Sequence, residues 1–295
     1  MLSVDFYQQL EEKIKNFPEF LIEKHILTYP TGNYYFLKIK PKQFGPQDRF
    51  LLVRAGVHGE EISGPLTLLK NFYEIAQAAT RLKIKLLLYP LGNPSGFEKK
   101  QRFSVGNEKG YLMCNDFVRY ELENGTLVDD LKDKNIFRHW YWSSDKKIGA
   151  RLTPETKLMH QLIKDDPLGQ IVAVLDLHQD YLTPNVGSAA YHYAFGDLSA
   201  YRNIIDQIKK ELPLLTETKI AAGENGGLKS DESGFIVRHD GTLPDLFWRL
   251  GAKYCVTAET TGQTPLDKAI KINLIWIYGL LTLIKKHESS HLPTT

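Results

Sequence analysis

The feature that most restricts how this chain can fold is a succession of three segments between residues 49 and 91. RFLLVRAGV (49–57) is an apolar run of strand length, LTLLKNFYEIAQAA (66–79) carries helical spacing, and LKIKLLLYPL (82–91) is a second apolar run. Strands joined through one helix pair in parallel, and strands that are apolar throughout are buried on both faces. The pattern therefore predicts βαβ units and a largely parallel sheet covered on both sides.

The rest of the chain extends this plan. Residues 6–16 read as a helix and 33–40 as a strand, followed by a Pro/Gly break. A helix over 154–165 precedes a buried strand, IVAVLDL (171–177), and a further strand, SAAYHYAF (188–195). A helix from Leu198 to Leu212, a mobile Gly-rich loop (221–235), a strand KYCVTAET (253–260) and a helix opened by Pro265 and running to Lys286 complete it. Between 98 and 153 no period is sustained, which predicts an excursion of loops and short helices over one end of the sheet. No repeat or linker divides residues 1–295, so a single domain is expected.

Composition narrows the function. Hydrophobic residues at 42% and charged residues at 24% describe a folded protein with a real core. Lys and Arg number 37 against 35 acids, and they are scattered, so neither nucleic acid nor an anionic membrane is an expected partner. The amino terminus lacks the apolar stretch of a secretory signal, and the expected location is the cytoplasm. The longest apolar run, Ile272 to Ile284, is interrupted by Asn273 and Gly279 and reads as a core helix. Cys114 and Cys255 are too few for a disulfide framework and read as thiols.

Chemistry concentrates at strand ends, where open α/β sheets bind their ligands. His58 and Glu61 follow the first strand, His178 ends IVAVLDL, and Glu259 ends YCVTA. Pro65 belongs in a first helical turn, which starts the helix near Gly64 and leaves His58 and Glu61 in the turn before it. Two imidazoles and one carboxylate with a position left for water form the ligand set of catalytic zinc. A further carboxylate must then take the proton of that water, and Glu259 is placed for it. Asp176 and His178, two apart on a strand, point to the same side. The acid either supports the histidine or caps a loop. His192 reads as a core residue; His25, His139, His160, His287 and His291 read as surface or terminal.

These residues carry a resemblance. The ordered set His58-x-x-Glu61, Asn93-Pro94-Ser95-Gly96-Phe97, Arg102, Asp116-Phe117-Val118-Arg119, Asp176-Leu177-His178 and Glu259-Thr260 is similar to the zinc carboxypeptidase family, including its succinylglutamate desuccinylase and aspartoacylase relatives. The resemblance implies a three-layer α/β/α fold with a central mixed, largely parallel twisted sheet, one zinc ion on His58, Glu61 and His178, and Glu259 as general acid and base. It implies that Arg102 stabilises the oxyanion, that Arg119 clamps a substrate carboxylate, and that Asp116 orients the first histidine. Arg238 and His239, beside Asp240, fall where the family places substrate contacts. The family's Asn before the clamp arginine is Val118 here, and Asn115 is the nearby candidate to replace it. The implied activity is that of a metallocarboxypeptidase acting on a peptide, with hydrolysis of an N-acyl amino acid as the alternative. A non-catalytic binding protein on the same fold is the third reading.

Overall fold

The computed structural model describes residues 1–105, 117–128, 137–143, 152–181, 186–216, 219–220, 228–237 and 241–289. Helix α1 (Ser3–Ile14) leads into a hairpin of β1 (Phe20–Tyr29) and β2 (Gly32–Pro41), then β3 (Phe50–Ala55), α2 (Ser63–Lys70), α3 (Phe72–Leu82), β4 (Lys85–Tyr89) and α4 (Pro94–Lys99). There follow β5 (Phe117–Leu122), β6 (Leu127–Val128), β7 (Phe137–Ser143), α5 (Pro154–Lys164), β8 (Ile171–Asp180), β9 (Ala190–Phe195) and α6 (Arg202–Ile208). The chain continues through β10 (Lys219–Ile220), β11 (Leu228–Lys229), β12 (Phe235–Ile236), α7 (Leu243–Arg249), β13 (Tyr254–Thr261) and α8 (Leu266–Ser289).

Eight strands form one mixed sheet in the order β1-β2-β4-β3-β8-β13-β9-β12. The central run β4-β3-β8-β13 is parallel, as the apolar strand sequences require, and antiparallel pairs flank it. Alternation along each strand divides the side chains between two cores. Leu51, Val53 and Ala55 of β3, Leu175 and Leu177 of β8, and Val256 and Ala258 of β13 pack with α1, α2, α3, α6 and α8. Phe50, Leu52, Val174 and Cys255 face the other way, onto α5, α7 and β5. The result is the expected three-layer α/β/α arrangement. Among the described residues no helix is long and apolar enough to cross a membrane, and the Ile272–Ile284 stretch lies within α8, which buries Ile272, Trp276, Ile277, Leu280, Leu281 and Ile284 in the core.

Several local readings need correction. The described part of 98–153 contains a three-stranded antiparallel sheet, β6-β5-β7, rather than loops and short helices alone. Val118 and Tyr120 face the core from β5, which is the alternation of a half-buried strand. The segment 66–79 is two helices, because α2 stops at Asn71 and α3 begins directly after it. Leu198–Leu212 is a 3-10 turn, Leu198–Tyr201, followed by α6 alone. The first strand, β1, and helix α7 were not expected.

Candidate metal centre

The face of the sheet that packs on α5 and α7 is apolar through Phe50, Leu52, Val174 and Cys255, then turns polar toward the carboxyl ends of the strands. Register explains how the polar groups meet. Arg54 of β3 pairs with Asp176 of β8, and Asp176 pairs with Thr257 of β13. One pleat further on, His178 stands beside Glu259, and Glu259 beside Tyr191 of β9. All these positions lie on the same face, so the strand ends carry two stacked rows of functional groups.

The turn between β3 and α2 completes the cluster. Gly59 is required in it by close approach: a Cβ there would lie 2.1 Å from the Gly96 carbonyl carbon and 2.4 Å from both Gln101 O and Phe97 N. The Gly59 N–H donates to Arg102 O at 3.1 Å, and Asn93 Nδ2 donates to the same carbonyl at 3.0 Å. Asn93 also caps α4, accepting from Gly96 N. The Asn93–Phe97 motif thus packs directly beneath the His58–Glu61 turn.

Ligand atoms from His58, Glu61 and His178 lie within 4.8 Å of one another. Glu61 is the hub: Oε1 is 2.7 Å from His58 Nδ1, Oε2 is 2.9 Å from His178 Nδ1, and the Gln179 N–H donates to Oε2 at 3.1 Å. Burial favours protonation of Glu61, but the facing His58 and His178 rings override it and hold the carboxyl well below its ordinary range. His178 turns its other nitrogen to Asp176, with Nε2 3.1 Å from Oδ2. Burial opposes its charge, yet Asp176, Glu61 and Glu259 raise its pKa well above the usual imidazole range. Asp176 is itself gripped by Arg54, whose Nε donates to Oδ1 at 2.9 Å while Nη2 donates to Oδ2. Asp176 supports His178 and does not cap a loop.

Glu259 Oε1 lies 3.9 Å from His178 Nδ1, and its Oε2 is buried with no hydrogen-bond partner among the described residues. Burial pushes this carboxyl well above the ordinary carboxylate range. Arg102 reaches the cluster from the other side, with Nη1 3.0 Å from Glu61 Oε1 and 3.2 Å from Glu60 Oε1. The donor set fits a divalent ion such as zinc: two imidazoles and one ionised carboxylate converge, and an unsatisfied carboxylate oxygen stands beside them.

Arg119 is buried on β5, in the small sheet. Val118 faces away from it, into the apolar core, and its N–H donates to Gly241 O at 2.6 Å. Alternation along β5 puts Val118 and Arg119 on opposite faces of the strand. Asn115, Asp116, Arg238 and His239 lie outside the described residues, as do Asp240, Cys114 and His291. His192 is core, between Phe235 and Trp276. His160, expected at the surface, is half-buried against Trp140, and burial lowers its pKa to about 4.

Sequence reasoning missed Arg54, Gln179, Asp180 and Tyr191. A signal existed for Arg54, since a charge inside an apolar strand must find a buried partner. Tyr191 donates to Asp180 Oδ2 at 2.8 Å beside Glu259; nothing in the local sequence announces that pair.

The fold has solved counterparts. A proposed metallopeptidase of Shewanella baltica superposes with a TM-score of 0.65 at 20% identity, over 95% of this chain and 91% of that one. A second, from Shewanella amazonensis, gives 0.64 at 22% identity over 95% and 91%. Thrombin activatable fibrinolysis inhibitor gives 0.61 at 12% identity over 97% and 74%. Among curated proteins, none matches this sequence. Residues 47–268, which include every ligand position above, match the succinylglutamate desuccinylase/aspartoacylase catalytic domain, and the chain belongs to that family within the zinc-carboxypeptidase-like fold.

Proposed function

We propose that the chain is a metal-dependent hydrolase that cleaves an amide bond in a substrate carrying a free carboxylate. The observation that supports this most is the convergence of His58, Glu61 and His178, with Glu259 in register on the neighbouring strand. The three converging side chains would hold one zinc ion. When bound, zinc supplies Lewis acidity that brings the pKa of a coordinated water to about 7.

The chain's own groups have separable tasks in this reading. Glu259 Oε2, buried and without a partner among the described residues, takes the proton of the attacking water and passes it to the leaving nitrogen. Arg102 brings a permanent positive charge against the centre, the property needed to stabilise a developing oxyanion. Arg119 grips the substrate carboxylate, bidentately as guanidinium groups do. Asn115, Arg238 and His239 are assigned substrate contacts, and Asp116 the orientation of His58, on sequence grounds alone. Asp176 accepts from His178 Nε2 and fixes that ring.

Two substrate classes have specific support. Release of a C-terminal residue from a peptide is supported by the Asn93–Phe97 motif and by the likeness to metallopeptidases. Hydrolysis of an N-acyl amino acid is supported by the family match over 47–268. The test is to incubate the zinc-loaded protein with peptides, muropeptides and N-succinyl and N-acetyl amino acids, and to identify the released acid or amino acid by mass spectrometry. Glu259→Gln should lower turnover on any substrate found by about 10²–10⁴-fold, with zinc content unchanged. Equal turnover would remove Glu259 from the mechanism, and no product from any substrate would leave the binding-protein reading.

A further inference from the structure

We infer that Arg54 is a positioning residue of the metal centre: it holds Asp176 in the one orientation that lets Asp176 anchor His178 Nε2 and present Nδ1 to the ion. The inference rests on the metal-site reading above and goes beyond it to a residue two strands away from Glu259.

The geometry carries the assignment. Arg54 is the one charge in the strand Phe50–Ala55, it is almost fully buried, and the register sets it directly beside Asp176. Its fork engages both carboxylate oxygens, Nε with Oδ1 at 2.9 Å and Nη2 with Oδ2. A two-point grip fixes the plane of the carboxylate as well as its position, which a lysine's single ammonium cannot do. Oδ2 then also meets His178 Nε2 at 3.1 Å. The hydrogen bond on one ring nitrogen decides which nitrogen remains for a metal.

A purely structural ion pair would look different. The described residues contain two other fully buried pairs, Lys38 with Asp166 and Arg249 with Asp245. Their acids hand on to tyrosine hydroxyls, Tyr89 at 2.7 Å and Tyr120 at 2.8 Å. Among the three, Arg54 with Asp176 alone continues to an imidazole of the candidate ligand set. The same buried-pair chemistry therefore serves as scaffold twice and ends on the metal cluster once.

The experiment compares the parent with Arg54→Lys, Arg54→Gln and a control, Arg249→Lys, which disturbs a buried pair away from the centre. Zinc affinity is measured by competition with a chromophoric chelator, with thermal melts alongside, and imidazole tautomers are read in the metal-free proteins by long-range ¹⁵N NMR. The expected result is a loss of about 10–100-fold in zinc affinity for both Arg54 variants, with the control binding as the parent does even where its melting temperature falls. Metal-free parent should show a His178 Nε2–H signal held against exchange by its bond to Asp176, and the Arg54 variants a weakened or lost Nε2–H signal. Should only one Arg54 variant fold, that one decides. Parental zinc affinity and an unchanged His178 spectrum in a folded Arg54 variant would overturn the role of Arg54. A parent that binds no zinc would overturn the metal reading instead, and the His178 spectra would still decide whether Arg54 sets the ring.

Discussion

Replacing Gly59 by alanine tests the packing on which the whole centre stands. The new Cβ would meet three main-chain atoms of residues 96, 97 and 101 at 2.1–2.4 Å, where ordinary contacts begin near 3.4 Å. None of the three is the end of a flexible side chain, so the turn and helix α4 must part by about an ångström. Overpacking of this kind costs about 1–3 kcal/mol, and backbone on all sides places Gly59→Ala near 3. An unfolding entropy of about 2.1 cal/mol/K per residue over 295 residues amounts to about 620 cal/mol/K, so each kcal/mol lowers Tm by about 1.6 °C. The expected fall is about 5 °C. The Gly59 N–H to Arg102 O bond should lengthen with it, displacing the turn that carries His58 and Glu61 and so weakening zinc binding. Scanning calorimetry of the metal-free protein is the assay, with Gly45→Ala as control because no atom lies within 4 Å of its Cβ. If Gly59→Ala melts within about 1 °C of that control, the close approach of the two motifs is wrong.

Three further outcomes are expected. His192 has a folded-state pKa of about 3 set by burial, below its ordinary 6.5; the unfolded chain therefore binds the extra proton, and stability is lost as pH falls below that ordinary value. His192→Phe removes both ring nitrogens, which have no hydrogen-bond partner among the described residues, and should gain up to about 2 kcal/mol relative to the parent between pH 8 and pH 5. Urea unfolding at the two pH values would show a constant difference if this is mistaken. Lys38→Met leaves Asp166 buried beside Tyr89 without its cation, at a cost of about 3–5 kcal/mol. Adding Asp166→Leu should recover most of the lost melting temperature, and a single variant as stable as the parent would contradict the burial of that pair. Arg102→Ala should retain bound zinc and lose about 10²–10³-fold in turnover on a confirmed substrate, whereas unchanged kinetics would take Arg102 out of oxyanion stabilisation.

The candidate metal cluster was legible because its members stand at the ends of strands whose apolar sequences are unambiguous. His58, Glu61, His178 and Glu259 could be placed by strand ends alone, and they do converge. Arg54 was not used because its meaning depends on a partner 122 residues away, and register is a tertiary fact. Strand β1 was missed since its edge position leaves Leu21 and Ile26 exposed, which blurs alternation. Helix α7 carried a readable start, the Thr242 side chain accepting from Asp245 N with Pro244 in its first turn, but it is short and lies in the stretch left unassigned between the Gly-rich loop and the final strand. The single long helix failed at Asn71, whose weak helical preference suffices where α2 and α3 bury different residues. Val118 packs into the apolar core from β5, a placement that sequence order alone does not give.

The in-register rows of β3, β8 and β13 also bear on how the protein reaches its native state. Glu61 meets the main chain of Gln179 across 118 residues of sequence, and Arg54 meets Asp176 across 122. Such contacts form only after large loops have closed, which is slow and comes late in folding. A cation bound as proposed above would recognise only the finished cluster and nothing comparable in the nascent chain, so it would guard the completed protein against unfolding without hastening its birth.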